Sequence, residues 1–157
     1  MKTESETLND LAGYCSQAER CLFDIRKKMQ AGELSEEAKK RIIDKLVHDK
    51  FIDEKRFARS FVHDKFQFNH WGRIKIAYEL KLRGIQPEVY NEAIEMIDED
   101  EYLTVLSEIL SNKKRTVKGR SSQDMYQKLC RFAAARGFET HLIINALKKI
   151  LKKMDDD

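Results

Sequence analysis

Three residues, Arg83-Gly84-Ile85, return as Arg136-Gly137-Phe138, 53 positions later. The same apolar pattern follows both: Val89, Ala93, Ile94 and Ile97 after the first, Leu142, Ala146, Leu147 and Ile150 after the second. A weaker copy sits upstream, where Gly32 precedes Ile42, Ile43 and Leu46 with one extra residue in the turn. A helix, a glycine stop and a second helix used repeatedly describe a chain assembled from tandem units. Such a chain is expected to bind along its length rather than to catalyse in a pocket.

The punctuation between apolar stripes defines the units. Ser16-Gln17-Ala18-Glu19 has capping-box spacing. The helix it predicts carries Cys21 or Leu22, Ile25 and Met29 on one face and stops at Gly32, a residue free to turn left-handed. Ser35 caps the next helix, whose first turn holds Glu36 and Glu37 and whose stripe is Ile42, Ile43, Leu46 and Val47. In the second unit Asp53 caps a helix bearing Phe57, Phe61, Val62 and Phe66, and Asn69 caps one running from about Trp71 to Arg83. Pro87 falls in the first turn of the third helix, where its missing N–H costs nothing. The third unit opens at Asp98, with Tyr102, Leu103, Leu106, Ile109 and Leu110 on its first helix. Its middle helix follows Ser121-Ser122 with Met125, Leu129 and Phe132, and its last runs from Thr140 to Met154.

The expected fold is all-α, with three tandem three-helix repeats forming an elongated, curved body. Repeat 1 spans 1–52, with a flexible N-terminal tail and a short first helix near Leu8–Tyr14. Repeat 2 spans 53–97. Repeat 3 spans 98–157 and ends in the acidic tail Asp155–Asp157. From Phe61 to Leu106 the offset between units is 45, whereas the glycines are offset by 53, so the third unit holds eight extra residues. These are expected in a long basic loop, Ser111–Ser122.

Charge is concentrated in the same place. Net charge is only +3, but Lys113 to Arg136 holds eight basic residues and one acid, Asp124. Lys113, Lys114, Arg115, Lys118, Arg120, Lys128 and Arg131 are therefore candidates for contact with a polyanion or an acidic partner surface. A solvated loop is the competing reading. Arg73 and Lys75 join the candidates because they follow Phe66, Phe68, His70 and Trp71, a basic–aromatic interleaving that can stack bases and hold phosphates. Against this, Phe66 and Trp71 also suit a sealed interhelical joint. Arg83 and Arg136 have a sufficient structural reason as cations at helix C-termini.

Catalytic signals are missing. The four histidines lack HxxxH spacing, and neither GxxxxGK[ST] nor GxGxxG occurs. Cys15, Cys21 and Cys130 have no CxxC spacing and read as reduced thiols of a cytoplasmic protein. No apolar run reaches transmembrane length. No enzymatic activity, cofactor, metal or membrane association is expected, and the chain is expected to be a monomer.

One segment carries a family resemblance. Ile52-Asp53-Glu54-Lys55-Arg56-Phe57-Ala58 followed by Phe61-Val62, then Gly72, Ile76, Glu79-Leu80 and Arg83-Gly84-Ile85, resembles the RecX regulatory proteins. Leu129, Arg131-Phe132 and Arg136-Gly137-Phe138 match the C-terminal pattern of that family, and the resemblance covers about Leu8 to Leu151. Arg73 stands where many members have proline. Two registers fit the first unit, one at Ser16-Glu19 and one at Asp24-Ile25 with Lys28-Met29. The resemblance implies a modulator, in the inhibitory direction, of the recombinase RecA in DNA recombination, repair and the SOS response. Its partners would be the RecA filament and single- or double-stranded DNA. The competing functions are a stand-alone helical DNA-binding protein and an adaptor with no nucleic-acid role.

Overall fold

The structure, a computed structural model, describes residues 2–30 and 32–155. Among these, every regular element is an α-helix, and the helices pack in threes. The first unit comprises α1 (Glu4–Gln17), α2 (Leu22–Met29) and α3 (Glu36–His48). The second comprises α4 (Glu54–Gln67), α5 (Arg73–Leu82) and α6 (Pro87–Glu95), and the third α7 (Glu99–Thr116), α8 (Ser122–Ala135) and α9 (Thr140–Asp155). The chain is thus three tandem three-helix repeats.

The caps explain most of the helix starts. Ser35, Asp53, Asp98 and Ser121 each accept a hydrogen bond from a first-turn main-chain N–H. Gly84 (φ +77°) and Gly137 (φ +96°) occupy the left-handed region that ends α5 and α8. Pro87 opens α6 as expected.

The first unit departs from expectation in three respects. Its first helix is a full 14 residues, because Thr3 caps it and Lys2 pairs with Asp10. Ser16 lies inside α1 and bonds back to the Ala12 carbonyl, so it caps nothing. The next helix starts later, where the Asp24 carboxylate accepts from the Cys21 N–H at 3.0 Å and faces its Sγ at 3.3 Å. Cys21 is fully buried but in the larger core of the following units, whereas Leu22, partly buried, packs with Ile25 and Met29. Gly32 adopts no positive φ and is not a left-handed stop.

The third unit departs most informatively. Lys113, Lys114 and Arg115 form the last turn of α7, and no long loop exists. The connections α4–α5 and α7–α8 are each five residues, 68–72 and 117–121. The eight extra residues are four on α7 (18 against 14) and four on α8 (14 against 10). One more turn on each helix makes this hairpin taller by about 6 Å. Ser111 to Thr116 contains no glycine or proline, so nothing stops α7 earlier. Of the acidic tail, Asp155 ends α9, while Asp156 and Asp157 lie outside the described residues.

The buried residues form two clusters. Leu11, Cys15, Ile25, Met29, Ile42, Leu46 and Ile52 make a core belonging to the first unit. The second and third units share one larger core, including Phe66, Ile76, Leu80, Tyr102, Leu106, Leu110, Leu129 and Phe138. Tyr102 is its centre, with ring centroids 5.8 Å from Phe66 and 5.0 Å from Phe138.

Candidate nucleic-acid and partner interface

The taller α7–α8 hairpin carries most of the basic candidates. Lys113 and Lys114 are half-buried on the last turn of α7, and Arg115 is exposed beside them. Cations there complement the negative end of the helix dipole. The Lys113 Nζ lies 5.2 Å from the Phe132 ring centroid, and the Arg136 guanidinium lies 4.9 Å from the same ring. Lys118 and Arg120 are exposed on the connection at the tip.

Short-range bonds organise that tip. The Arg120 N–H donates to Asp124 at 2.9 Å, the Ser121 hydroxyl accepts from the Asp124 N–H at 3.1 Å, and Lys128 donates to the Lys118 carbonyl at 2.6 Å. Lys128 also pairs with Asp124 at 3.3 Å. The Arg120 N–H, followed by Lys128 and Arg131, holds the Asp124 carboxyl below its usual range. The single acid of the stretch is thus spent on local structure. Among the described residues, Lys114, Arg115, Lys118, Arg120 and Arg131 make no ion pair. The positive N-terminus of α8 points at the same tip, reinforcing its attraction for anions.

Arg73 and Lys75 lie elsewhere. They open α5, which meets the far end of α8, about 20 Å from the tip along that helix. Arg73 is a structural clamp: it pairs with Glu139 at 2.8 Å and with Glu99, and its guanidinium covers the Tyr102 ring at 3.8 Å. Burial pulls its pKa down, but the bonds to Glu139 and Glu99 outweigh this and leave it raised. Lys75 Nζ sits 4.5 Å from the Trp71 ring centroid, with Lys65 at 4.9 Å. Phe66 is core; Trp71 packs against it, edge-on to Phe61, and remains partly open to solvent.

The start of α5 shows why Arg73 is so engaged. Gly72 is its N-cap and has no side chain to offer. The orphan N–H groups are satisfied by the third unit: Gly72 donates to the Arg136 carbonyl at 2.7 Å, Ile74 to the Gly137 carbonyl at 3.0 Å and Arg73 to the Tyr102 hydroxyl at 3.0 Å. The Tyr102 hydroxyl in turn donates to Glu139. Asn69 is therefore not the cap; its carbonyl accepts from the Arg136 guanidinium at 3.2 Å.

A second surface escaped the sequence analysis. Ile74, Tyr78 and Leu82 of α5 are each more than half exposed, although α5 also buries Ile76 and Leu80. The signal available in the sequence is a helix apolar on both faces, with a spacing of four along the outer one. Among the described residues, no group of three or more His, Cys, Asp or Glu could hold a metal ion. None of their helices is long and apolar enough to cross a membrane.

Residues 53–94 match the family model described as RecX, second three-helix domain. The solved structure titled crystal structure of RecX from Lactobacillus salivarius superposes with a TM-score of 0.78, at 21% identity, over 93% of this chain and 95% of that one. A regulatory protein RecX from Clostridium botulinum (strain Alaska E43 / Type E3) is 31% identical over 131 residues, covering 81% of this chain and 60% of that protein. The one from Bacillus cytotoxicus is 24% identical over 91% of this chain and 53% of its own length. This chain belongs to the RecX family. It spans about half to two thirds of the length of the curated RecX proteins it matches. The fold is thus shared with these RecX structures at identities near 20%.

Proposed function

We propose that this RecX-family chain is a regulatory protein that binds the RecA–DNA filament and inhibits its recombinase and ATPase activities, acting in the cytoplasm in recombination and repair. The observation that carries the reading is the α7–α8 hairpin. It is one turn taller than its counterpart and basic at its tip, and Asp124, the one acid between Lys113 and Arg136, is already bonded. Lys113, Lys114, Arg115, Lys118 and Arg120 form the contact to DNA phosphate or acidic filament surface, with Arg131 and Lys128 on the adjoining face of α8. Lys75 contributes at the other end of α8, and Arg73 acts by holding the two units together.

A row of helical units can touch several filament subunits at once. Linked weak contacts then reach high avidity without any tight single one. No catalytic group is required, since inhibition follows from occupying the filament and favouring one of its states. The test is titration of the protein into a RecA–single-stranded DNA ATPase assay. Falling ATPase with rising protein supports the proposal; unchanged ATPase at low salt, with no association with the filament by co-sedimentation, overturns it.

A further inference from the structure

Helix α5 has an outer face that the fold does not use. Ile74, Tyr78 and Leu82 are 56%, 59% and 56% exposed. None belongs to the shared core or packs against it. Their spacing of four residues lines them up over about 12 Å of helix. One unit further on, the corresponding positions are Gln127, Arg131 and Ala135, all exposed. Apolar residues at this place are therefore not a demand of the repeat.

The stripe continues across a unit boundary. Leu82 lines a groove together with Phe23 of α2, itself 46% exposed. The walls of the groove are basic: Arg26, Lys27, Lys39, Lys40 and Arg83 stand against Glu36 and Asp44. Lys39 is paired with Glu36, and Arg83 with Glu79. Lys27 and Lys40, with Lys81 beside the stripe, are exposed and make no ion pair among the described residues.

An apolar line flanked by free cations is complementary to one kind of occupant. We propose that the α5 stripe and the α2–α5 groove receive an acidic amphipathic helix of a partner protein. Its apolar residues would lie on Ile74, Tyr78, Leu82 and Phe23, and its carboxylates would meet Lys27, Lys40 and Lys81. Nucleic acid fits less well, because Ile74 and Leu82 have no π-face on which a base could stack. A second copy fits less well, because a two-fold contact would set like charges against each other. The proposal makes no use of the α7–α8 hairpin and stands or falls separately from the filament reading.

The test uses the whole chain and a fluorescein-labelled peptide with leucines at three- and four-residue spacing and glutamates on its other faces. Anisotropy is expected to give binding about tenfold or more tighter than for a scrambled peptide of the same composition. Tyr78→Ser with Leu82→Ser should weaken it about tenfold or more, with an unchanged urea midpoint because both residues are exposed. Lys27→Glu with Lys40→Glu should weaken it comparably without touching the apolar stripe. Equal binding of the scrambled peptide overturns the proposal, as does tighter binding of a version with lysine for glutamate. Displacement of the peptide by an oligothymidylate, or a dimer in sedimentation that Leu82→Ser dissolves, also overturns it by assigning the surface to another occupant.

Discussion

Gly72 donates its main-chain N–H to the Arg136 carbonyl across the boundary between the second and third units. The approach is so close that a Cβ on Gly72 would lie 2.4 Å from the carbonyl carbon of Gly137. A Cβ on Gly137 would in turn lie 2.4 Å from that of Lys75. Gly72, Gly84 and Gly137 therefore differ in what they do. Gly84 needs only its left-handed φ, since nothing lies within 4 Å of its missing Cβ. Alanine should cost about 1 kcal/mol at Gly84 through backbone strain and about 2–3 kcal/mol at Gly72 through overpacking. Gly137→Ala should cost the most, since it adds strain to overpacking. Urea unfolding at constant m-value measures the order, and equal costs at all three positions would contradict the joint described here.

Tyr102 holds the same joint from inside. Its hydroxyl accepts from the Arg73 N–H and donates to Glu139, while its ring carries the Arg73 guanidinium. Tyr102→Phe leaves the packing intact but strands two part-buried partners, and should destabilise by about 1–3 kcal/mol. Burial, then the bond to Glu139, pushes the phenol far up. Its phenolate absorbance should therefore appear in alkaline titration only together with unfolding, and an earlier appearance would count against this geometry.

Cys21 makes a pH prediction. Burial raises its thiol from 9.0 to about 11. The folded state thus keeps a proton that the unfolded state loses. The stabilising difference is complete below pH 9 and is lost as pH rises from 9 through about 11. Two pH units correspond to about 2–3 kcal/mol. Wild type and Cys21→Ala should therefore show urea midpoints that converge over this window; parallel profiles would show that the thiol does not titrate in this way.

Arg73 and the hairpin cations should separate cleanly. Lys113→Gln, Lys114→Gln and Arg115→Gln together should weaken filament or DNA binding while changing stability by no more than about 1 kcal/mol. If all three contact single-stranded DNA, the slope of log affinity against log salt should fall by about 2. Arg73→Ala should do the reverse, lowering stability because Glu99 and Glu139 lose their shared partner. An unchanged salt slope in the triple variant would remove the hairpin tip from the DNA contact.

Local physics was legible in the sequence and long-range physics was not. Gly84 and Gly137 could be recognised as helix stops because a left-handed residue is a local requirement. Ser35, Asp53, Asp98 and Ser121 could be recognised as caps because the N–H groups they accept from sit three residues away. Gly72 could not be recognised as a cap, because its acceptor belongs to Arg136 in another unit. The same distance concealed the role of Arg73, which looked like a free cation and is bound to Glu99 and Glu139. The start of α2 at Cys21 could not be recognised as a cap, because the capping group is the Asp24 carboxylate and the residue at the cap position is a thiol. The offsets of 45 and 53 give the eight extra residues, but a count alone does not say whether they lengthen a loop or the helices α7 and α8.

The two cores divide the molecule mechanically. Phe66, Tyr102 and Phe138 fuse the second and third units into one stiff brace. The first unit has a core of its own but also plugs Cys21, fully buried, into that brace, and across the same boundary Arg56 grips Glu19 and the carbonyls of Lys50 and Phe51. The chain crosses this boundary at Lys50–Arg56, where a left-handed lysine bends the backbone. A shift of the first unit against the brace would have to uncover the Cys21 thiol, so the reactivity of that one cysteine gauges how firmly the end-piece is seated.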